Sequence, residues 1–502
     1  MRGCVVREAS GARGPFHVEG HFSRGRGLQY RRCAQMRARC IRGARVRALR
    51  TPKRAERYGR ASNRNCRTLA KKGSLLRASS YQFIIRFMVA SLPWAVAAMA
   101  WSEQQLQPLV ASSVSVWSSC PLRVFVYPVN PRSRRDTLGD FGLPLPNMPS
   151  NLTTLYNTSQ WALYATFSQR LHSRGCVVSD PADADAFYIP FDLLEIKLTE
   201  KGPVAWMGAT EFERTAYRML VDSTPDGDRW LARHGGRDHF MVYGGVERHG
   251  LSLISPENIL DRVPILALEG DSSLGGLKGA QQLAVPYPSV FHDGESKVGA
   301  GTLRPWEYNR NRSRTHLAFY AGGGHGVAFR LRAALDAACS ADPRCAHEDI
   351  SLAANNIEAQ PDQLMARLVK GMMEATFCLQ PPGDTPSRKG IVDSVLLGCI
   401  PVLFEEKQLG LWPWHWRALD ASVFLDGSAI LDTDVGKRTN VLDALSRIPP
   451  SRVAQLRAAG AAVAYGMQYS ATFEEGKVDA FELILRNLRR VLSRAHIVRG
   501  NR

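Results

Sequence analysis

The stretch FCLQPPGDTPSRKGIVDSVLLGCIPVLF, residues 377–404, decides the fold. The apolar segments at its two ends have the composition of buried strands. Between them lie a loop rich in proline and glycine and then the segment KGIVDSVLLG, whose apolar residues recur at helical spacing. Strand, loop, helix and strand in this order predict a βαβ unit with two parallel strands.

The loop of this unit has the features of a diphosphate site. Ser387, Arg388 and Lys389 open the helix, where free backbone N–H groups and the positive end of the helix dipole favour an anion. Asp393 lies one turn after Lys389 and is a candidate to accept hydrogen bonds from a ribose. Alternatively, both cations are solvated, and Lys389 and Asp393 form an ordinary helix pair worth about 0.2–0.5 kcal/mol.

The same alternation extends in both directions along the chain. Strand-like runs such as LRVFVYPV (122–129) and HLAFYAGG (316–323) alternate with helical segments such as 153–175. Strands that alternate with helices predict parallel sheets. We therefore predict an α/β protein of the GT-B architecture, with two Rossmann-like domains facing a cleft, C-terminal helices, and a nucleotide sugar bound in the cleft.

Seven segments are predicted along the chain. They are a disordered basic leader (1–82), a signal anchor or signal peptide (83–101), a stem (102–119), an N-terminal Rossmann-like acceptor domain (120–292), a Gly-rich linker (293–311), a C-terminal Rossmann-like donor domain (312–435) and C-terminal helices (436–502).

The distribution of charge argues against nucleic acid as a partner. The 502 residues carry a net charge of +19, but residues 1–86 hold 23 basic and 3 acidic residues, which leaves 42 basic and 43 acidic residues elsewhere. The Arg- and Gly-rich leader buries too little apolar surface to fold, so we expect disorder. It is interpreted as a transit extension, a basic cytosolic tail or an over-extended translation.

The apolar segment FIIRFMVASLPWAVAAMAW, residues 83–101, favours entry into the secretory pathway. Arg86 leaves an uninterrupted run at 87–101, shorter than the roughly 20 residues of a full span and close to the core of a signal peptide. With the upstream cations the segment is typical of a signal anchor. A start at Met88 would instead give a cleaved signal peptide, and a buried helix of the fold is the weakest alternative.

Sequons and cysteines agree with an oxidising lumen. Asn151, Asn157 and Asn311 begin glycosylation triplets. Cys339 and Cys345 bracket a short polar turn and predict a local disulfide. The six cysteines after the apolar segment are Cys120, Cys176, Cys339, Cys345, Cys378 and Cys399.

Neither of two candidate metal motifs is expected to bind a metal. The spacing of Cys339 and Cys345 is not that of a zinc site, and His347 alone does not complete four ligands. The pair Asp183 and Asp185 is interpreted as a turn or helix start with Asp180 as its cap, rather than as a Mn²⁺ motif.

The stretch 377–404 also resembles the signature of exostosin-like glycosyltransferases of family 47, especially the plant-type branch that includes xyloglucan galactosyltransferases. Further blocks resemble the family in its order, from about Cys120 to Asp426. These blocks are RVFVYPV, SDPADADAFYIPFD, WLARHGGRDHFMVYGG, VPYPSVFH and HLAFYAGGGHGVAFRLR.

The resemblance implies a hexosyl- or pentosyltransferase that moves a sugar from a UDP-sugar to a glycan or polysaccharide acceptor with inversion. It also implies a single-pass type II protein of the Golgi membrane with its catalytic part in the lumen, with a glycosyltransferase complex as a further possible partner. No cofactor beyond the donor substrate is expected to be required.

By position, the resemblance implies that Arg388 and Lys389 contact the diphosphate, Ser387 lies at the helix end and Asp393 contacts the ribose. It further implies that a glycine loop at 322–326 faces the donor from the other side. The residues of that side are Gly323, His325 and Arg330. Departures from the family pattern at 241–250 and 405–416 leave the acceptor open.

Inverting transfer requires a base for the acceptor hydroxyl and stabilisation of the departing diphosphate. The candidate bases lie near predicted strand ends of the first domain. They are Asp192, Asp238, His239 and Glu247. Alternatively, Arg237, Asp238 and His239 form a structural ion-pair turn. The second hypothesis for the whole chain is a non-catalytic glycan-binding or partner subunit, against which the intact Arg388, Lys389 and Asp393 argue.

Overall fold

The computed structural model describes residues 120–129, 142–192, 211–246, 259–270, 282–294, 302–323, 328–350, 361–434 and 436–497. The predicted leader, apolar segment and stem lie outside these residues, as do Glu247 and His325.

Within the described residues, the first sheet contains six parallel strands in the order β2-β1-β3-β4-β5-β6. These strands are β1 Val124–Val126, β2 Val177–Val178, β3 Ala186–Tyr188, β4 His239–Val242, β5 Ile265–Ala267 and β6 Gln282–Ala284. The helices of this part are α1 Leu163–Ser173, α2 Glu211–Asp222, α3 Gly227–Ala232 and α4 Pro305–Asn309, with 3₁₀ turns at Pro181–Asp183, Arg233–Gly236 and Leu260–Arg262.

Five parallel strands of the described chain form the second sheet, in the order β11-β10-β9-β7-β8. These strands are β7 His316–Gly322, β8 Cys345–Asp349, β9 Ala375–Leu379, β10 Ile400–Leu403 and β11 Val423–Phe424. Its helices are α5 Phe329–Ala341, α6 Pro361–Glu374, α7 Lys389–Leu396, α8 Ala418–Ala421 and α9 Gly427–Ile430, with a 3₁₀ turn at Glu406–Gly410. In both sheets the chain reverses direction beside the first strand, as in doubly wound Rossmann-like folds.

Three helices of the described ranges follow the second sheet, and the last of them returns to the first sheet. They are α10 Val441–Ser446, α11 Pro450–Ala464 and α12 Ala480–Ile497, with a 3₁₀ turn at Tyr465–Met467. Arg174 of the α1 end pairs with Glu482 at 2.7 Å, and both side chains are buried. The rings of Phe167 and Phe481 lie 5.1 Å apart. The C-terminal helix therefore packs against α1 of the first sheet, although it follows the second sheet in the chain.

The carboxyl ends of the two sheets face each other. Glu269 follows β5, and Tyr287 and Ser289 follow β6; all three contact residues that follow β9. Ser387 and Asp393 are their partners. Two doubly wound sheets with opposed carboxyl ends and C-terminal helices form the GT-B architecture, so the predicted fold class is confirmed.

Several local predictions are confirmed as well. Cys339 and Cys345 form a disulfide. The side chain of Asp180 accepts from the backbone N–H of Ala182 at 2.8 Å and caps the 3₁₀ turn predicted there. Asp185 pairs with Arg123 at 3.0 Å. Two further disulfides, whose pairing was not predicted, join Cys120 to Cys176 and Cys378 to Cys399.

Loss of the Cys120–Cys176 disulfide is expected to destabilise the fold more than loss of Cys339–Cys345. The first closes a loop of sequence separation 56 and the second one of 6. Chain entropy then gives about 4 kcal/mol for the long loop and about 2 kcal/mol for the short one. Urea unfolding of the two double serine variants measures the difference. An equal or larger loss for the short loop would contradict this ranking.

Candidate active site

The switch point of the second sheet lies between β7 and β9, and Arg388 lies beside it. Arg388 immediately precedes α7. Its guanidinium donates to the carbonyl oxygen of Pro381 at 3.2 Å and to that of Ala321 at 3.5 Å. One oxygen belongs to the loop after β9 and the other to the end of β7. The side chain therefore spans the crevice in which doubly wound sheets bind their ligands.

Arg388 is a half-buried cation, and its hydrogen-bond partners are neutral groups that do not balance its positive charge. Burial, followed by repulsion from Arg332, lowers the pKa of Arg388 to about 10, so the group stays charged at neutral pH. Within the described part of the chain, its hydrogen-bond acceptors are carbonyl oxygens, and no carboxylate forms an ion pair with it. A cation in this state favours an anionic ligand.

Ser387 links the start of α7 to the opposite sheet. Its backbone N–H donates to the Glu269 carboxylate oxygen Oε1 at 2.5 Å, and its hydroxyl lies 2.8 Å from the Tyr287 hydroxyl. Burial raises the pKa of Tyr287, which keeps that hydroxyl protonated. The amide that was predicted to face a phosphate therefore donates to a carboxylate in this structure.

Glu269 is a site residue that the sequence analysis missed. Its side chain is 2% exposed, and its Oε2 atom has no hydrogen-bond partner among the described residues. The indole N–H of Trp412 donates to the Leu268 carbonyl at 3.0 Å and fixes the adjoining backbone. The available signal was an acid directly after the buried strand PILAL, but only the fold shows what this acid faces.

Lys389 and Asp393 form a buried pair, with Nζ and Oδ2 at 2.8 Å and side chains 10% and 6% exposed. The other carboxylate oxygen of Asp393 accepts from the Ser289 hydroxyl and from the Val290 amide. The helix pair considered as an alternative is thus present, and it connects the two sheets. Contact of Asp393 with a ribose stays a prediction.

The loop after β7 is only partly described. Gly323 is buried directly after the strand, and His325 lies outside the described residues. Arg330, on α5, is exposed and lines a surface cavity of about 790 Å³ together with Pro382 of the donor loop. Gly323 therefore lies at the switch point, whereas Arg330 lies at the exposed surface beside Pro382 of the loop after β9.

Gln408 supports the donor loop from behind. Its buried side-chain amide donates to the carbonyl oxygens of Gln380 and Pro386 at 3.0 and 3.1 Å. Its carbonyl oxygen accepts from the amides of Phe404 and Glu405 at 2.8 and 3.1 Å. These four hydrogen bonds fix the backbone on both sides of the loop that carries Arg388.

Asp238 and His239 lie at the start of β4, away from the edge that faces the second sheet. Asp238 binds Arg233 at 2.7 Å and His239 Nδ1 at 2.9 Å, and His239 Nε2 lies 2.9 Å from the Tyr127 hydroxyl. Burial raises the pKa of Asp238, but His239 and Arg233 outweigh it and leave the pKa below its ordinary value. The ion pairing considered as the alternative is in place, although through Arg233; the role of these residues as bases stays a prediction.

Asp192 has the better position of the described candidate bases. It is buried and follows β3, which lies beside β1 at the switch point of the first sheet. It therefore occupies the edge of the first sheet that faces the donor loop. Glu247 lies outside the described residues.

Comparison with known families agrees with this geometry. Residues 118–425 match the model of the Exostosin GT47 domain. The chain belongs to the exostosin GT47 family. The family predicted from the sequence is thereby confirmed, and the chain is a glycosyltransferase of this family.

The exostosin domain is similar to plant enzymes. Over 334 aligned residues it is 26% identical to "Probable xyloglucan galactosyltransferase GT19" of Arabidopsis thaliana. This alignment covers 62% of this chain and 72% of that protein. Over 329 aligned residues it is 27% identical to "Probable xyloglucan galactosyltransferase GT15" of the same plant. This second alignment covers 60% of this chain and 62% of that protein.

A solved structure, "Spinosyn Rhamnosyltransferase SpnG complexed with thymidine diphosphate", is 12% identical and aligns with a TM-score of 0.29 over 73% of this chain and 100% of that one. Similarity at this level does not bear on the function of the exostosin domain. The fold assignment rests on the topology of its two sheets.

Two features are absent from the described residues. No group of three or more His, Cys, Asp or Glu side chains in that part of the exostosin protein is arranged to hold a metal ion. Nor does any described helix combine the length and apolar character that crossing a membrane requires.

Proposed function

We propose that the protein transfers a sugar, with inversion, from a UDP-sugar to a glycan or polysaccharide acceptor in the Golgi lumen. The observation that carries this proposal is Arg388, a cation without a carboxylate partner among the described residues, at the switch point of the second sheet. In the proposal, residues 83–101 form the single membrane anchor, or a signal peptide whose cleavage releases the chain into the secretory lumen.

In this mechanism the diphosphate binds between Arg388 and the start of α7. The guanidinium and the helix dipole stabilise the charge that develops on the leaving group. Arg388 and the helix end supply this stabilisation, and no metal or other cofactor takes part. Gly323 allows the backbone after β7 to approach the donor from the other side.

The base must lie across the sugar from the leaving diphosphate, because inversion requires in-line attack. Glu269 contacts the amide of Ser387 and is therefore on the side of the phosphate. Asp192 follows β3 of the same sheet as Glu269, but it lies beside the switch point of that sheet and is our candidate for the required side. We propose Asp192 as the base, which accepts the proton of the acceptor hydroxyl while the new glycosidic bond forms and the bond to phosphate breaks.

The names of the relatives suggest the substrates to test first. UDP-galactose and UDP-galacturonic acid are the first donors, since related Arabidopsis proteins are named as xyloglucan galactosyl- and galacturonosyltransferases. Xyloglucan oligosaccharides are the first acceptors, followed by other wall polysaccharides and glycoprotein glycans. A partner exostosin protein in a complex is a further proposal.

Release of UDP from a panel of UDP-sugars, with and without acceptors, tests the function, and NMR of the product tests inversion. Acceptor-dependent release is the expected result. Binding of UDP without turnover of any donor would instead support a non-catalytic partner subunit.

Replacement of Glu269 by glutamine is expected to raise the affinity for UDP. The carboxylate occupies the Ser387 amide and would repel an incoming diphosphate, so removal of its charge favours binding by on the order of tenfold. Isothermal titration calorimetry measures the change. Glu307→Gln, which removes an exposed carboxylate elsewhere, is the matched control. Unchanged or weaker binding by Glu269→Gln relative to this control would contradict the prediction.

A further inference from the structure

A second cationic site lies at the opposite edge of the second sheet from Arg388. It is a cavity of about 970 Å³ between the segment before β7, the first residues of β9 and helix α11. Leu317 and Thr376 mark its position near the amino ends of β7 and β9, whereas Arg388 contacts Ala321 and Pro381 at the carboxyl ends. We call it the arginine cavity.

Four arginines line the arginine cavity, and no carboxylate belongs to its lining among the residues that the structure describes. They are Arg310, Arg312, Arg314 and Arg457. The first three alternate in the sequence RNRSR, and the fourth comes from α11. The chain after residue 86 is almost balanced in charge, with 42 basic and 43 acidic residues. A general excess of basic residues therefore does not explain this cluster.

Arg314 holds its place by hydrogen bonds to carbonyl oxygens from three segments. Burial, followed by repulsion from Arg457 and Arg312, lowers the pKa of Arg314 to about 9. The three cations are therefore close enough to oppose one another. The accepting oxygens belong to Met372, Met373, Asn309 and Gly398.

The guanidinium of Arg457 has fewer hydrogen bonds than that of Arg314 among the described residues. Its Nη2 atom lies 3.4 Å from the Thr376 hydroxyl, and its buried Nε has no partner among the described residues. Burial lowers the pKa of Arg457. Like charges that gather in a half-buried cavity without an acid cost folding free energy, and arrangements that violate local rules in this way mark functional sites.

We infer that the arginine cavity binds a compact ligand with several phosphate or sulfate groups. Planar guanidinium groups match tetrahedral oxyanions with paired hydrogen bonds. The hydroxyls of Ser313, Thr376 and Ser446 line the same cavity and supply neutral donors. A volume of about 970 Å³ suits a small molecule that carries several such groups better than a single inorganic ion. The site does not depend on the proposed donor site.

The test is calorimetric titration of the full chain, after enzymatic removal of any N-glycan, because Asn311 also lines the cavity. The probes are myo-inositol hexakisphosphate and myo-inositol hexasulfate, which share a scaffold, with myo-inositol as the neutral control. Stronger binding of one probe identifies the phosphate or the sulfate source. Absence of binding by both probes would overturn the inference.

Variants inside and outside the arginine cavity test whether the probe binds there. Arg457→Gln is expected to weaken the preferred probe at least tenfold, and Arg310→Gln, on an exposed side chain, is the second variant in case the first does not fold. Arg452→Gln removes the same charge from α11 outside the cavity and should bind like wild type. Arg388→Ala should also retain binding. Equal binding by Arg457→Gln, Arg310→Gln and Arg452→Gln, or loss of binding in Arg388→Ala, would contradict the inference.

Discussion

Arg388→Ala is expected to abolish UDP binding and sugar transfer, with a loss of at least about 10²-fold in affinity, because this guanidinium supplies the charge at the predicted phosphate position. Its hydrogen bonds go to the carbonyls of Pro381 and Ala321, so its positive charge remains available to a ligand. The alanine variant removes both the positive charge and the guanidinium hydrogen bonds that connect the end of β7 with the loop after β9. Calorimetry with UDP and a UDP-release assay measure the two effects.

Two controls separate binding from folding in this experiment. Arg388→Lys keeps the charge without the planar fork and should retain part of the affinity. Arg452→Ala removes an arginine outside the site and should bind UDP normally. Unchanged UDP affinity in a folded Arg388→Ala variant would show that the donor diphosphate does not bind at Arg388.

Asp393→Ala is expected to destabilise the protein by about 3–5 kcal/mol, since it leaves Lys389 as a buried cation without its partner. The carboxylate also accepts from the Ser289 hydroxyl and the Val290 amide across the boundary between the sheets. Urea unfolding, with the free energy extrapolated to zero denaturant, measures this loss.

The double variant Asp393→Leu/Lys389→Met tests the cause. Replacement of both buried charges by apolar groups of similar size should recover much of the lost stability. A loss below about 1 kcal/mol for Asp393→Ala would show that the pair is solvated and that the link between the sheets is weak.

The sequence predicts the second sheet well because its signals are local. The strand, loop and helix at 377–404 are set by apolar periodicity and by proline and glycine. The disulfide between Cys339 and Cys345 follows from their spacing. The position of Arg388 at the switch point follows from the order of strand, loop and helix, which the structure confirms.

The contacts across the cleft could not be predicted in the same way. Glu269 and Ser387 are far apart in the chain, and only the packing of two sheets brings a carboxylate to that amide. For His239, the pattern located a strand end correctly, but the sequence does not show that Asp238 and Tyr127 engage both ring nitrogens. Asp393 likewise has the predicted helical neighbour, whereas Ser289 is a partner that only the fold supplies.

The most direct test of the central claim is a crystal structure of the protein with bound UDP. The account predicts phosphate oxygens within hydrogen-bonding distance of the Arg388 guanidinium, between the loops that follow β7 and β9, with Glu269 displaced from the Ser387 amide. A diphosphate bound elsewhere, with Arg388 and Glu269 unchanged, would contradict it.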